Sequence, residues 1–389
     1  MEVEKTSVME EIDQSSVITD ESRHDESIGG IESYPEHIQR IMDDAGRLAM
    51  KYGANGQEEP LQRELTLRLS QLADLPVNNI QISPNRNQAI EAIMKAFCQP
   101  GETILMSGSS ENDIGAVADR CGVRILHHFG PTPFAADPEG IIAGLSAEVK
   151  LVYLNNPDYI TGALYSQHEI ELVLQGLNGA ILILDESYCC YPGGSLAKLI
   201  ENYNNLAVIR TFSIAPDPNS MPPGLILACP GIMEKLTAYY TNGMMTISGL
   251  AAASVELNNL DYLRQYNEMI QENMLCLSTK LRGLGIPSRL SPSNFILIKV
   301  TRPVKVISCL NRKGIAAQDV GRFERMDGYL KIVIADSTIS ERILAAFEEM
   351  PAQYYFIRRI GQTRIVIRRK AEEISRARKS NIDEASFKL

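Results

Sequence analysis

The sequence predicts an α/β fold: a large unit on a mainly parallel sheet with helices on both faces, followed by a smaller α+β unit. Three observations carry this. Short apolar runs alternate with helical periodicity from Thr103 to Ala228, the signature of right-handed strand–helix–strand crossovers. The runs LVYL before Asn155 and ILIL before Asp185 are continuously apolar, as strands buried on both faces must be. After a long helical stretch, Ser248 to Arg282, a strand and helix pattern of a different order begins.

The elements follow in order. Helical periodicity runs from Glu36 to about Met50 and is broken by YGANG. Further helices are expected over Leu61 to Ala73 and Gln88 to Phe97. Thr103 to Met106 is a short strand, and the helix through Ala116 to Arg120 ends at Cys121-Gly122, with Gly122 as C-cap. Strands at Val123 to Leu126, Lys150 to Leu154 and Ala180 to Leu184 alternate with helices near Pro138 to Ser146 and Glu169 to Leu177. Leu206 to Thr211 and Leu225 to Ala228 are further strands. The last part gives a strand at Asn294 to Val300, a helix Val304 to Lys313, strands near Ile315 and at Tyr329 to Ala335, and a helix Ser340 to Met350 capped by Ser340. Ligands of such sheets sit at the carboxyl ends of the strands, which directs attention to Asn155–Gly162, Asp185–Tyr188 and Thr211–Ile214.

Composition is ordinary for a globular protein, 44% hydrophobic and 22% charged. No apolar run reaches the roughly 18 residues needed to span a bilayer. The acidic, polar N-terminus is expected to be neither a signal nor a transit peptide. The seven cysteines form no CxxC pair, so buried free thiols and a cytoplasmic location are expected. The formal net charge of −10 is uneven: Met1 to Glu32 holds ten acids and two bases. Residues 1–33 are therefore expected to be a disordered acidic segment. After Pro351 the balance reverses. Arg358, Arg359, Arg364, Arg368, Arg369 and Lys370 make a basic extension, 352–389, that either contacts an anion or protein partner or is simply solvated. His127-His128 has no neighbouring carboxylate or cysteine at metal-ligand spacing, and no basic residue adjoins Cys189-Cys190 to activate a thiol.

At the strand ends the chain resembles fold-type I pyridoxal-phosphate (PLP) aminotransferases of class I/II, near the histidinol-phosphate type. YGANGQEEPLQREL, NIQISPNRNQAIEAI, NPDYITG (for NPNNPTG), ILILDESY and RTFSIAPDPNSMPPG carry the likeness, in order, with SPSNFILIKV and GYLKIVIAD further on. The resemblance implies a seven-stranded, mainly parallel sheet and a homodimer. It divides the chain into an N-terminal helix and arm at 34–60, a large unit at 61–265 and a small unit at 266–351.

The family's reaction needs a lysine to form a Schiff base with the cofactor and move the substrate's α-proton; the matching position is Ile214. Lys198 and Lys235 lie elsewhere in the pattern. The Gly-Ser phosphate pair reads Asn85-Arg86, and the later phosphate arginine aligns with Pro222. The stacking aromatic aligns with Glu111, the asparagine on the ring hydroxyl with Tyr159, and the carboxylate-clamping arginine with Lys331. Arg86 itself has the charge to bind an anion.

Other positions survive. Asp185 matches the aspartate on the pyridine nitrogen, Tyr188 the tyrosine on the ring hydroxyl, Ser213 a phosphate-side serine, Tyr52 a residue reaching the partner subunit's phosphate, and Asn294 a substrate-pocket asparagine. Each has a structural alternative: Asp185, for instance, can cap the next turn or pair with a base. The expectation is a pseudoenzyme without Schiff-base chemistry and without a bound cofactor, acting as a binding, scaffold or regulatory protein. PLP enters only if the alignment at Ile214 is wrong. The alternatives are an active histidinol-phosphate-type aminotransferase and a repurposed enzyme using the same pocket without PLP.

Overall fold

The computed structural model of the protein describes residues 36–53, 58–108, 112–188, 194–212, 222–240 and 245–355. The acidic N-terminal segment 1–33, the basic extension beyond Tyr355, Glu111, Cys189, Cys190, Ser213 and Ile214 lie outside these residues.

Two helices, α1 (Glu36–Gly53) and α2 (Glu58–Ala73), precede strand β1 (Ile80–Ser83) and helix α3 (Arg86–Phe97). Strand–helix alternation follows: β2 (Thr103–Ser107), α4 (Asn112–Cys121), β3 (Arg124–His128), α5 (Pro138–Ala143), β4 (Val149–Asn155), α6 (Gln167–Gly176), β5 (Ile181–Asp185) and β6 (Leu206–Thr211). After β7 (Gly224–Ala228) come α7 (Pro230–Leu236), α8 (Ile247–Asn258) and α9 (Leu260–Gly283). The last part comprises β8 (Ser288–Leu290), β9 (Phe295–Lys299), α10 (Pro303–Asn311), β10 (Gln318–Asp319), β11 (Tyr329–Val333) and α11 (Ser337–Glu349).

The first sheet has seven strands in the order β1-β7-β6-β5-β4-β2-β3. β3, β2, β4, β5 and β6 run parallel, β7 is antiparallel to β6, and β1 is antiparallel to β7. Successive side chains of a strand point to opposite faces, and this splits the core in two. Val152, Leu154, Leu182, Leu184, Leu206, Val208, Leu225 and Leu227 face α2, α6 and α8. Leu151, Tyr153, Ile181, Ile183, Ala207, Ile209, Ile226 and Ala228 face α3, α4 and α7. The parity rule places Asn155 and Asp185 on the second face too, since they continue the odd-numbered rows at the carboxyl ends of β4 and β5.

The second sheet is antiparallel, ordered β10-β11-β9-β8. Ile296, Ile298, Leu330 and Ile332 pack on α9, α10 and α11. The opposite face of β9 puts Phe295 and Leu297 beside Ile160, Val320 and Met326. Lys331, one residue out of phase with Leu330 and Ile332, points the same way.

Several local expectations change. β1 is too short for its periodicity to stand out, yet it forms the edge beside β7. The expected long helix is two, because Asn259 ends α8 by donating its side-chain amide to the Val255 carbonyl at 2.8 Å. The last helix starts earlier than expected: Asp336, not Ser340, is its cap, accepting from the Ile339 N–H at 2.9 Å. Ser340 is buried inside the helix. Gly122 does end α4, in the left-handed conformation at φ +67°. No described helix is long and apolar enough to cross a membrane.

Candidate functional site

The carboxyl ends of β4 and β5 face the amino ends of α3 and α4. α3 starts at Arg86 because Asn85 caps it, its side chain accepting from the Gln88 N–H at 2.9 Å. Arg86 is thus the first helical residue, and its side chain turns inward between the two strand ends. Glycine lets this happen. A Cβ on Gly224, at the start of β7, would lie 2.8 Å from the Asn85 carbonyl oxygen and 3.1 Å from the Arg86 nitrogen.

Arg86 meets two carboxylates. Its Nε donates to Asp185 Oδ2 at 2.5 Å, its NH1 to Asp113 Oδ2 at 3.1 Å, and its NH2 to the Tyr153 hydroxyl at 2.6 Å. Side-chain exposures are 6% for Arg86, 0% for Asp185 and 7% for Asp113. The single proton of the Tyr153 hydroxyl faces Asp185 Oδ2 at 2.6 Å and Asn155 Oδ1 at 2.8 Å; the ionised acceptor is the stronger of the two. Asp185 Oδ1 accepts from the Ser187 N–H at 2.9 Å. Burial acts to raise the Asp185 carboxyl. The Arg86 charge and the hydrogen bonds from Ser187, Tyr153 and Arg86 outweigh it and hold the group below the usual carboxylate range. Its neighbour Glu186 points to the other face, where Ser195 Oγ and the Leu196 N–H donate to it; burial nevertheless pushes its carboxyl up.

A second group lies where the small sheet meets the large one. The rings of Tyr159 and Tyr188 are 4.8 Å apart. Lys331 donates to the Tyr159 carbonyl at 2.8 Å, and its ammonium sits 3.4 Å from the Tyr159 ring centroid and 4.5 Å from that of Phe295. The expected site residues therefore divide. Arg86 and Asp185 form one cluster, and Tyr159, Tyr188 and Lys331 another. Tyr52 is half-buried and packs against the main core. Asn294 is exposed; its carbonyl accepts from the Ile334 N–H at 2.7 Å. Pro222 precedes β7 and brings no charge.

Neither Lys198 nor Lys235 approaches these groups: Lys198 pairs with Asp74 at 2.6 Å, and Lys235 lies 4.8 Å over the Phe97 ring. Among the described lysines, Lys331 is the one brought to the Tyr159–Tyr188 pair. His128 has a carboxylate after all, Asp137, with Nε2 2.9 Å from Oδ2; the loop after β3 folds back to deliver it. Among the described residues no set of three His, Cys, Asp or Glu side chains suits a metal ion. Tyr153 and Asp113 were missed in the sequence. A tyrosine inside an apolar strand was the available signal, since its buried hydroxyl needs a partner.

A sequence profile of the family described as aminotransferase class I and II matches residues 29–346. Among curated relatives, histidinol-phosphate aminotransferase of Methanosarcina mazei is 26% identical over 305 residues, covering 76% of this chain and 80% of the relative. The Yersinia pestis enzyme of the same name is 25% identical over 291 residues, covering 73% of this chain and 76% of the relative. Among solved structures, histidinol-phosphate aminotransferase of Clostridium acetobutylicum aligns with a TM-score of 0.71 at 20% identity, covering 80% of this chain and 95% of that one. That of Sinorhizobium meliloti, in complex with pyridoxal-5'-phosphate, gives 0.70 at 22%, covering 82% and 87%; at these identities the structures show the fold.

These findings correct one expectation. The family's cofactor is PLP, and one neighbour was solved with it, so the expected absence of a cofactor does not stand. Asp185 and Tyr188 keep the residue types that the resemblance assigns to the ring. As arranged here, however, Asp185 does not fit a ring nitrogen, because Arg86 and Tyr153 already occupy its Oδ2 and Ser187 its Oδ1. With the fold and the profile match over residues 29–346 in agreement, the chain belongs to the class I and II aminotransferase family.

Proposed function

We propose that this chain is a histidinol-phosphate-aminotransferase-like family member that does not transaminate through a lysine-linked cofactor, and that it serves as a binding, scaffold or regulatory protein. The buried Arg86–Asp185 pair carries this reading. Asp185 is held ionised by an internal cation, and withdrawing Arg86 to admit another partner would strand two buried carboxylates. The residue types at Ile214, Asn85 and Pro222 support it, since none supplies an amine, a close backbone approach or a phosphate-pairing charge. When bound, PLP supplies the electron sink for amino-group transfer. Tyr188 keeps the ring-side residue type, but Asp185 is already engaged by Arg86, Tyr153 and Ser187, and the isoleucine at position 214 has no group that moves a proton.

One observation favours a working transaminase instead: Lys331 brings an amine to the Tyr159–Tyr188 pair. The division of the chain at 34–60, 61–265 and 266–351, a homodimer and a cytoplasmic location belong to the same proposal, supported by family resemblance and by the separate cores of the two sheets.

The test is to add PLP to the purified full chain, reduce with borohydride, digest, and look for pyridoxyl-lysine by mass spectrometry. Amino-group transfer from histidinol phosphate is measured in parallel. The expected result is no stoichiometric modification of any lysine and no turnover. A single modified peptide with turnover would overturn the proposal, and modification at Lys331 would identify the substitute amine.

A further inference from the structure

A small cleft opens at the carboxyl ends of β2, β3 and β4, between that rim and residues 324–325. Ser107, Gly108, Asn155, Asp158, Thr161 and Tyr165 are among its walls. Arg86, Asp185, Tyr159, Tyr188 and Lys331 are not, so the cleft adjoins the cofactor-type site without being it.

Asp158 is the unusual wall. It is 8% exposed, and one oxygen, Oδ1, takes all its hydrogen bonds: from the Ile160 N–H at 3.0 Å, the Thr161 N–H at 2.7 Å and the Thr161 hydroxyl at 2.8 Å. That turn needs only one acceptor, which an asparagine also has, and NPNNPTG of the resembled family has asparagine here. This chain has a carboxylate, leaving Oδ2 to face the cleft with no hydrogen-bond partner among the described residues. Gly108 makes room for it: a Cβ there would lie 2.8 Å from Oδ2, and the residue has φ +79°. Burial pushes the carboxyl up, although Thr161, Ile160 and the more distant Lys331 charge act against it.

Among the described residues no cation lies within ion-pair distance of this carboxylate, and Lys331 acts on it only from farther away. Asp137 and Glu324 also line the cleft, so its acids number three. Its one lining guanidinium, Arg325, donates NH1 to the Gly130 and Pro131 carbonyls, both at 2.7 Å, and Nε lies 3.6 Å from Glu324. A buried carboxylate is costly unless a cation reaches it. Ser107 Oγ and the Tyr165 hydroxyl, 3.0 Å apart, offer further acceptors on the same wall.

We propose that this cleft binds a small molecule bearing an ammonium group, with Asp158 Oδ2 as its counter-ion and the Ser107 and Tyr165 hydroxyls beside it. The proposal goes beyond the preceding one and holds whether or not the chain transaminates.

Isothermal titration of the full chain with ethanolamine tests it, with ethylene glycol and acetate as probes of similar size lacking the cation. Saturable binding of ethanolamine alone, weakened at least tenfold by Asp158→Asn, is expected. Asp158→Asn keeps the Oδ1 acceptor and so preserves the turn, which circular dichroism checks. Absence of saturable ethanolamine binding to the wild type, equal binding of glycol or acetate, or unchanged affinity in Asp158→Asn would each overturn the proposal. The comparison of probes needs no variant, so it decides the matter even if the substituted protein misfolds.

Discussion

Replacing Arg86 by methionine keeps the apolar stem and removes the guanidinium. Three donors vanish at once, at 2.5 Å from Asp185, 3.1 Å from Asp113 and 2.6 Å from the Tyr153 hydroxyl. Two carboxylates of 0% and 7% side-chain exposure then share one buried site with no described cation paired to them. Breaking a buried pair by deleting one partner costs about 3–5 kcal/mol, and the second carboxylate places R86M at the upper end of that range. Urea unfolding, followed by far-UV circular dichroism because the chain has no tryptophan, measures the loss in the transition of the seven-stranded sheet. The double variant R86M/D185N removes the worst orphan and should recover about half the loss, since coupled neighbours are not additive.

The pH dependence has a fixed sign. Wild-type Asp185 has a folded pKa below its unfolded value. Its contribution is therefore present above the ordinary carboxylate range and is lost as pH falls through the folded pKa. In R86M burial dominates and raises that pKa, so the gap between R86M and wild type narrows on acidification. A loss under about 1 kcal/mol, or a double variant as unstable as the sum of the singles, would refute the reasoning.

Gly224→Ala should cost about 1–3 kcal/mol. The new methyl meets backbone at Asn85 rather than a movable side chain, and the same unfolding assay reads it; a neutral result would show that the α3 amino end yields freely. Asp158→Asn should be favoured over wild type increasingly as pH rises through the raised Asp158 pKa. Between its ordinary and folded pKa values the native wild type holds a proton that the unfolded chain has released, so wild-type stability falls across that window. Parallel stability curves for the two proteins in urea would contradict this.

The sequence by itself determined the α/β class and most of the strand–helix order, because unbroken apolar runs such as ILIL have no other stable home than a sheet covered on both sides. It also directed attention to the strand ends and, through the family resemblance, to positions such as Ile214 and Asp185. It did not determine what those residues do to one another. Arg86 and Asp185 are 99 positions apart, and nothing local says that one closes on the other. That pairing follows from the phase of β5, the start of α3 at its Asn85 cap, and the glycine at 224 that lets β7 approach. Lys331 reaches Tyr159 across 172 positions for a similar reason, the phase of β11 against its own core. The edge strand β1, the break at Asn259 and the Asp336 cap were likewise decided by tertiary packing, which rewards a few residues for a contact that their own periodicity is too short to announce.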